Sequence, residues 1–259
     1  MRPLPTGPVR PETLYQRNRP TPDRLNNSLR RTYDLLRSTL QNGQSDQSLV
    51  EGDLTDALSA SRNTVRAVLQ QLAKEGLVTR SPKRGTRSAG SLMLRINNLS
   101  PVKEFGGGDS SIRTELRTLE YRTLGGLRMV RERLQIPPGW TVLMIEALLV
   151  QVQDNEPLGI SVSYIALDPD QCCNLEVEEP DPILFLERQL DVKIAGSRTT
   201  IGATAADEQS AALVGVELGA PMIFLEDILE DESGQPRALS QFRMRSDRIA
   251  FTASASRSA

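Results

Sequence analysis

Apolar residues in the first third of the chain recur at steps of three and four positions, which is typical of amphipathic helices. This spacing covers 25–40 in a first segment, 50–58 in a second and 65–72 in a third. Gly43 is expected to end the first helix, and the Ser61 hydroxyl has the chemistry of an N-cap for the third. The pattern therefore predicts three helices in close succession.

A short hairpin is predicted after the third helix. Strand-forming residues at 77–79 and 86–87 flank a turn at 81–85 that contains proline and glycine. Three helices followed by a hairpin form the winged helix-turn-helix arrangement, which we assign to residues 24–90. The proline- and arginine-rich residues 1–23 before it are predicted to be a disordered arm, without the apolar core of a secretory signal.

The rest of the chain has the pattern of long strands. Residues 91–111 lack periodicity and contain Gly106-Gly107-Gly108, so they are predicted to be a linker with a glycine hinge. Within a second domain at 112–254, alternating or nearly continuous apolar residues predict strands at 113–123, 141–153, 157–166, 193–205, 221–230, 237–245 and 248–253. Helical spacing occurs at 129–135, 183–190 and 208–214. Long strands without a regular strand–helix repeat predict an α+β chain whose second domain is an antiparallel sheet with peripheral helices.

Charge separates the same two parts of the chain. Residues 1–95 contain 16 Lys and Arg and 8 Asp and Glu, a net charge of +8, whereas residues 96–259 carry a net charge of −10. A basic first part is typical of a protein that binds nucleic acid, and double-stranded DNA is the predicted partner. The alternative is a chance fluctuation to which the basic arm contributes.

Composition excludes several classes of site. The chain has no histidine, which excludes Ser-His-Asp catalysis and His-ligated zinc, and it has no cofactor motif, so we predict neither an enzyme nor a cofactor. The two cysteines, Cys172 and Cys173, are adjacent and are interpreted as buried apolar residues in a reducing cytoplasm, with a redox switch as the alternative. No run of about 18 apolar residues occurs, which argues against a membrane span.

The outward face of the third predicted helix carries side chains suited to DNA. Asn, Gln and Arg make paired hydrogen bonds to base edges, and cations and a glycine at a hairpin tip can approach phosphates or the minor groove. The alternative is an ordinary solvated helix with surface arginines. The predicted DNA-contacting residues are Ser61, Arg62, Asn63, Thr64, Arg66, Gln70, Lys83, Arg84 and Gly85.

Two sets of motifs resemble the GntR family of bacterial transcription factors, in its HutC-type branch with a UTRA effector domain. The first set is similar to the family's recognition helix and wing: Ser61-Arg62-Asn63-Thr64-Val65-Arg66, Glu75-Gly76-Leu77-Val78 and Arg84-Gly85-Thr86. The second is similar to the UTRA domain: Pro138-Gly139, Asp154-Asn155-Glu156-Pro157-Leu158-Gly159-Ile160, Ser163-Tyr164-Ile165 and Arg245-Ser246-Asp247-Arg248. The resemblance covers residues 25–254. It implies a dimeric, ligand-responsive DNA-binding regulator with a chorismate-lyase-like antiparallel sheet.

The chain departs from the family pattern just before the recognition helix. The family usually has Leu-Pro-Ser-Glu-Arg where this chain has residues 48–52, and only Glu51 is kept. The arginine that often touches DNA in the family is replaced by Gly52. One expected DNA contact is therefore absent.

Larger departures occur where sugar-phosphate-binding members of the family anchor their ligand. Leu149 and Gln151 replace two arginines, Ser161 replaces an acidic residue and Met244 replaces a tyrosine. A phosphate without its arginines is poorly desolvated, so the predicted effector is an organic acid or another weakly charged metabolite, not a sugar phosphate. The polar candidates for this pocket are Gln151, Ser161, Ser163, Arg198, Thr200 and Arg245.

Each of these polar residues has a structural alternative. The serines and threonine are equally typical of ordinary strand positions, and Arg245 is suited to an ion pair with Asp247 at a strand end. The prediction is a cytoplasmic repressor that binds an inverted-repeat operator as a homodimer and is released by a metabolite. Two alternatives stay open: a regulator whose second domain serves only dimerisation or partner binding, and an enzyme on the chorismate-lyase-like fold.

Overall fold

The computed structural model describes residues 29–42, 47–81, 83–96, 99–104, 113–125, 127–171 and 175–255. The predictions for the arm at 1–23, for the glycine hinge at 106–108 and for Cys172-Cys173 lie outside these residues. The chain divides into two compact units, Met1–Ser91 and Leu92–Ala259.

The first unit contains the three predicted helices and the hairpin. Its elements are α1 (Leu29–Asn42), α2 (Glu51–Ala57), α3 (Arg62–Lys74), β1 (Val78–Ser81) and β2 (Gly85–Ser88), with β1 and β2 antiparallel. Helix α3 begins where the Ser61 Oγ accepts a hydrogen bond from the Thr64 N–H at 3.1 Å, as the N-cap prediction requires. Leu36 and Leu40 of α1 pack with Leu69 of α3 in one buried cluster. The winged helix-turn-helix prediction is confirmed.

The wing is fastened to the segment before α2. The Leu49 N–H donates to the Thr86 carbonyl at 2.8 Å, and the Ser88 N–H donates to the Gln47 carbonyl at 3.0 Å. A short stretch of backbone pairing therefore holds β2 beside the entry to the helix-turn-helix.

The second unit is built on a six-stranded antiparallel sheet. Its elements are β3 (Leu92–Arg95), β4 (Thr114–Leu124), α4 (Arg128–Arg133), β5 (Thr141–Gln151), β6 (Glu156–Leu167), α5 (Pro182–Leu184), β7 (Ile194–Ala205), α6 (Glu208–Val214), β8 (Pro221–Asp231), β9 (Pro236–Arg245) and β10 (Ile249–Thr252). Single 3-10 turns lie at Val102–Glu104 and Pro169–Gln171, and a π-helical turn at Phe185–Gln189 continues α5. The strand order is β4-β5-β6-β9-β8-β7. The antiparallel sheet with peripheral helices agrees with the prediction.

Both faces of this sheet are covered. On one face α4 and α6 pack against the sheet, with Val130 and Val214 fully or nearly fully buried. The other face is covered by β3 and β10 over the β9 residues Phe242 and Met244, and by the turn around Phe185. Gly159 of β6 allows the close approach to β9, because a Cβ there would lie 2.7 Å from the Arg243 carbonyl oxygen.

Strand β3 is the main difference from the predicted elements. Residues 92–95 fall in the predicted linker, but they form a strand that pairs in parallel with β10 outside the six-stranded sheet. Four residues are too few to show a hydrophobic period, so only the pairing with a distant part of the chain identifies the strand. None of the described helices is long and apolar enough to cross a membrane.

Candidate functional site

The N-terminal half of α3 presents most of the predicted DNA-contacting residues. Arg62, Asn63, Arg66 and Gln70 are exposed. Ser61 and Thr64 are half-buried, and their hydroxyl oxygens lie 2.8 Å apart within the N-cap. The first group is therefore available to a ligand, whereas Ser61 and Thr64 also stabilise the start of the helix.

Glu51, at the first position of α2, connects the recognition helix to the wing. One carboxylate oxygen lies 3.1 Å from Arg66 Nη2, and the other lies 3.9 Å from Arg80 Nη2 on β1. Because these side chains are partly exposed, the ion pairs add little stability but orient the Arg66 guanidinium. Glu51 is the one residue of 48–52 that matches the family pattern, and its contact with Arg66 was not predicted from the sequence.

The hairpin tip provides the second part of this surface. Lys83, Arg84 and Gly85 are all exposed. Gly85 has a φ of +73°, a conformation that other residues adopt only with strain. The Arg87 Nε–H donates to the Arg84 carbonyl at 3.4 Å, which closes the turn. The tip is therefore a hydrogen-bonded turn that carries two exposed cations.

The second unit contains a cavity of about 400 Å³ on the sheet face that β3 and β10 cover. Strands β7, β8 and β9 form its floor, and residues 93–96, 99, 100, 102, 104 and 181–183 form part of its walls. The lining residues are Met93, Leu94, Arg95, Ile96, Leu99, Ser100, Val102, Glu104, Asp181, Pro182, Ile183, Ser197, Thr199, Leu225, Asp227, Leu229, Ser240, Phe242, Met244, Phe251 and Thr252. Its size is in the range of small-molecule sites.

The charged side chains of the lining are mostly acidic. Glu104, Asp181 and Asp227 contribute carboxylates, and Arg95 contributes the single basic group among the lining residues. Burial raises the pKa of the Asp227 carboxyl, although hydrogen bonds from Thr199 and Ser197 oppose the shift. The cavity therefore has a largely apolar lining whose charged groups are predominantly negative.

Asp181 already uses its carboxylate within the protein. It is 3% exposed and accepts backbone hydrogen bonds from Val102 at 2.6 Å, Ile183 at 3.0 Å and Leu184 at 3.2 Å. Burial raises its pKa despite these hydrogen bonds. Asp181 thus joins the 3-10 turn at Val102 to the start of α5 beside the cavity.

The structure places two of the predicted effector-binding residues near the cavity floor. Ser163 Oγ lies 2.9 Å from the Oγ of Ser240, which lines the cavity, and Ser161, two residues away on the same strand, is buried opposite Phe242. Neither residue itself belongs to the lining. Met244, predicted as part of an apolar wall, does line the cavity, whereas Leu149 is buried beside it.

The other predicted effector-binding residues lie elsewhere. Arg198 and Thr200 alternate along β7 with the lining residues Ser197 and Thr199, so they face away, and Arg198 pairs with Glu230 at 2.8 Å. Gln151 bonds to Asp154 at the β5–β6 hairpin.

Arg245 takes the alternative role that the sequence analysis left open. It pairs with Asp247 at 2.7 Å and with Glu156 at 3.1 Å. The six predicted residues are therefore not brought together in one pocket.

Four polar lining residues were not predicted from the sequence: Asp227, Thr199, Ser197 and Ser240. A signal was present in β8, where Asp227 occupies the same alternating positions as Leu225 and Leu229. An acidic residue on the buried face of a strand is costly unless it is paired or has a function.

Comparisons with known proteins identify both units. Residues 29–87 match the family described as bacterial regulatory proteins, gntR family, and residues 111–250 match the UTRA domain. A probable fructoselysine utilization operon transcriptional repressor of Escherichia coli is 25% identical over 85% of this chain and 88% of its own length. An HTH-type transcriptional regulator of Rhizobium meliloti is 26% identical over 85% of this chain and 91% of its own length.

Solved structures show the same fold. PhnF from Mycobacterium smegmatis superposes with a TM-score of 0.60 at 20% identity, covering 87% of this chain and 99% of PhnF. The possible transcriptional regulator YydK from Bacillus subtilis has a TM-score of 0.53 at 16% identity, covering 88% of this chain and 99% of YydK. The chain is a transcriptional regulator and not an enzyme, and it belongs to the gntR family of bacterial regulatory proteins as a member with a UTRA domain.

Proposed function

We propose that this regulator is a repressor that binds an inverted-repeat operator as a homodimer and is released by a small metabolite that is not a sugar phosphate. The exposed basic surface of α3 and the wing, together with an acidic cavity in the UTRA unit, is the observation that carries this proposal. The Escherichia coli relative is named as a repressor, which supports the same sign of regulation.

The DNA contacts are divided between base reading and phosphate binding. Asn63 and Arg66 have the donors for base edges on the exposed face of α3, and Arg62 and Arg84 supply charges for neighbouring phosphates. Gln70, one turn beyond Arg66, extends the reading face. Two such heads in a two-fold dimer would read a short inverted repeat.

The cavity lining argues against an anionic effector. A phosphate dianion would meet Asp181 and Asp227, with Arg95 as its nearest basic partner among the lining residues. The cost of desolvating that phosphate would not be compensated. The same lining disfavours the organic acids expected from the sequence and favours a neutral or positively charged metabolite.

Part of the cavity wall follows the DNA-binding unit directly along the chain. Residues 93–96, 99, 100, 102 and 104 line the cavity, and they follow the first unit closely in sequence. A ligand that binds one arrangement of this segment more tightly would shift the population of DNA-competent heads.

DNA binding by the full chain tests the proposal. Genome-wide binding-site mapping supplies the operator, and fluorescence anisotropy then compares wild type with Arg66→Ala. The expected loss is about 10- to 100-fold in operator affinity, because a paired contact to a base edge is worth about 1–3 kcal/mol.

Arg128→Ala is the matched control, since Arg128 is an exposed arginine of the UTRA unit paired with Glu132 at 2.7 Å. Undiminished operator binding by Arg66→Ala would show that α3 is not the helix that reads the operator.

Sedimentation of the protein with its operator is expected to show two chains per operator, and one chain per operator would contradict the proposed dimer. If no metabolite alters DNA affinity, the UTRA unit serves dimerisation or partner binding instead.

A further inference from the structure

One row of polar side chains crosses the cavity floor. Thr199 of β7 stands opposite Asp227 of β8, Asp227 stands opposite Ser240 of β9, and Ser240 stands opposite Ser163 of β6. Thr199 Oγ1 donates to Asp227 Oδ1 at 3.0 Å. Because directly opposed residues in antiparallel strands point to the same face of the sheet, these four side chains lie side by side.

Apolar residues flank this row on both sides. Leu225 stands opposite Phe242 on one side, and Leu229 stands opposite Ala238 on the other. Phe251 of β10 lines the cavity as well. The Asp227 carboxylate is therefore the charged group of a floor that is otherwise apolar or carries hydroxyl groups.

No cation among the residues that the structure describes pairs with this carboxylate. Within the described part of the chain Asp227 forms no ion pair, and the acids Glu104 and Asp181 of the lining add to its negative charge. Asp181 is occupied by three backbone N–H groups, so the partly buried Asp227 is the carboxylate of the cavity floor that remains open to a ligand. A partly buried carboxylate without a cation is unfavourable, and a bound cation would relieve it.

We propose that the cavity binds an organic cation, a small molecule that carries an ammonium group beside an apolar part. The Asp227 carboxylate and the Thr199 hydroxyl receive the ammonium group, and Phe242, Met244 and Phe251 surround the apolar part. This inference rests on the proposed function in so far as the cavity is the effector site, and it names the chemical class of that effector.

The test measures binding of a panel of primary amines to the full chain. The panel runs from butylamine to 2-phenylethylamine, and each amine is matched by the alcohol and the carboxylate of the same skeleton. Saturation-transfer NMR and thermal shift report binding to wild type, to Asp227→Asn and to Glu230→Gln. The last variant is the control, because it removes a carboxylate of β8 that pairs with exposed Arg198 and does not line the cavity.

Wild type and Glu230→Gln are expected to bind at least one amine about tenfold more tightly than the matched carboxylate. The reason is that the ammonium group of the amine forms a charge-assisted hydrogen bond with the Asp227 carboxylate, which a carboxylate ligand cannot form. Asp227→Asn is expected to lose this preference. Preference for the carboxylates, no binding of any amine at millimolar concentration, or an unchanged preference in Asp227→Asn would each overturn the inference.

The thermal stability of ligand-free Asp227→Asn gives a second, independent readout. An amide oxygen still accepts from Thr199, and the partly buried charge is gone, so the melting temperature is expected to equal or exceed that of wild type. A fall of several degrees would show that Asp227 has a structural role and would overturn the inference. Operator binding by the ligand-free protein is measured in parallel. If the ligand-free protein does not bind an operator, the repressor proposal is refuted. If it binds the operator but binds no amine, only the proposal of a cationic effector is refuted.

Discussion

Asp181 shows how one buried carboxylate can hold two separate segments beside the cavity. One of its oxygens accepts from Val102, in the segment that follows the DNA-binding unit, and the other accepts from the first residues of α5. All three donors are backbone N–H groups, so the residue acts through geometry more than through charge pairing.

Asp181→Asn is predicted to destabilise the UTRA unit by about 1–3 kcal/mol, because the amide keeps one acceptor oxygen but presents an N–H group to the Val102 N–H. Urea unfolding of the full chain measures the change. Asp170→Asn is the control, since Asp170 is exposed. An equal effect of the two substitutions would show that the Val102 contact contributes nothing.

The raised pKa of Asp227 predicts that the free energy of unfolding depends on pH. Burial raises the pKa of its carboxyl above the ordinary value, so the folded protein binds this proton more tightly than the unfolded chain. Such a group adds stability as the pH falls through its raised pKa and loses that stability as the pH rises. Asp227→Asn, which cannot titrate, is therefore expected to be the more stable protein at neutral pH, with the difference narrowing towards a pH of about 4.

Thermal unfolding of wild type and Asp227→Asn across this range measures the difference. Glu104 and Asp181 are the other acids of the cavity, and both are unchanged in the variant, so the comparison isolates Asp227. A difference that stays constant with pH would contradict the predicted titration.

At the scale of elements, helix α2 precedes the recognition helix and lacks the arginine that the family often has at its second position. Glu51 at its start contacts Arg66 and Arg80, but the next position is Gly52, which is exposed and has no atom within 4 Å of where a Cβ would lie. A Cβ therefore fits there without displacing any neighbour, and the exposed position leads a longer side chain towards solvent.

Gly52→Arg is predicted to raise DNA affinity, because it restores the cation that the family often places at this position. The slope of log affinity against log salt should steepen by about 0.9 for one added phosphate contact. Gly52→Ala is the matched control: it should stabilise the helix by about 0.5–1 kcal/mol without changing the salt slope. Anisotropy titrations over a salt series check both, and an unchanged slope in Gly52→Arg would place α2 away from the phosphates.

Elements with a clear local signal were predicted well from sequence. The Ser61 cap and the apolar stripe of α3 are properties of a single segment, and the structure has both. The segment predicted as one helix at 183–190 is instead a turn of α-helix followed by a π-helical turn, Phe185–Gln189. The Asp181 cap and Pro182 explain its start. Phe185, the first residue of the wider turn, is packed in a buried cluster with residues from distant strands, and local spacing does not predict such contacts.

On the scale of the whole molecule, ligand and operator are expected to compete by linkage. If the effector weakens operator binding by a given factor, the operator must weaken effector binding by the same factor. Calorimetric titration of the effector into the free protein and into the operator complex measures one factor, and anisotropy titration of the operator with and without saturating effector measures the other. Unequal factors would mean that the effector binds outside the DNA-linked equilibrium, for example at a second site.

The structure shows where the basic and the acidic residues of the chain lie. The basic first part includes exposed cations on α3 and at the wing, whereas the acidic second part includes the carboxylates of the cavity. The positive charges suit binding to DNA, and the negative charges suit the cationic effector that we propose.

The sequence by itself determined the winged helix-turn-helix unit, the long strands of the second unit and the family, because these depend on local periodicity and on motifs within single segments. Only the tertiary structure decided which polar residues line the cavity. Thr199 and Arg198 are neighbours in sequence but face opposite sides of the sheet, and Asp227 meets Thr199 and Ser240 through strand pairing. Alternation along a strand assigns two faces, but strand order and the covering by β3 and β10 determine which face encloses a ligand.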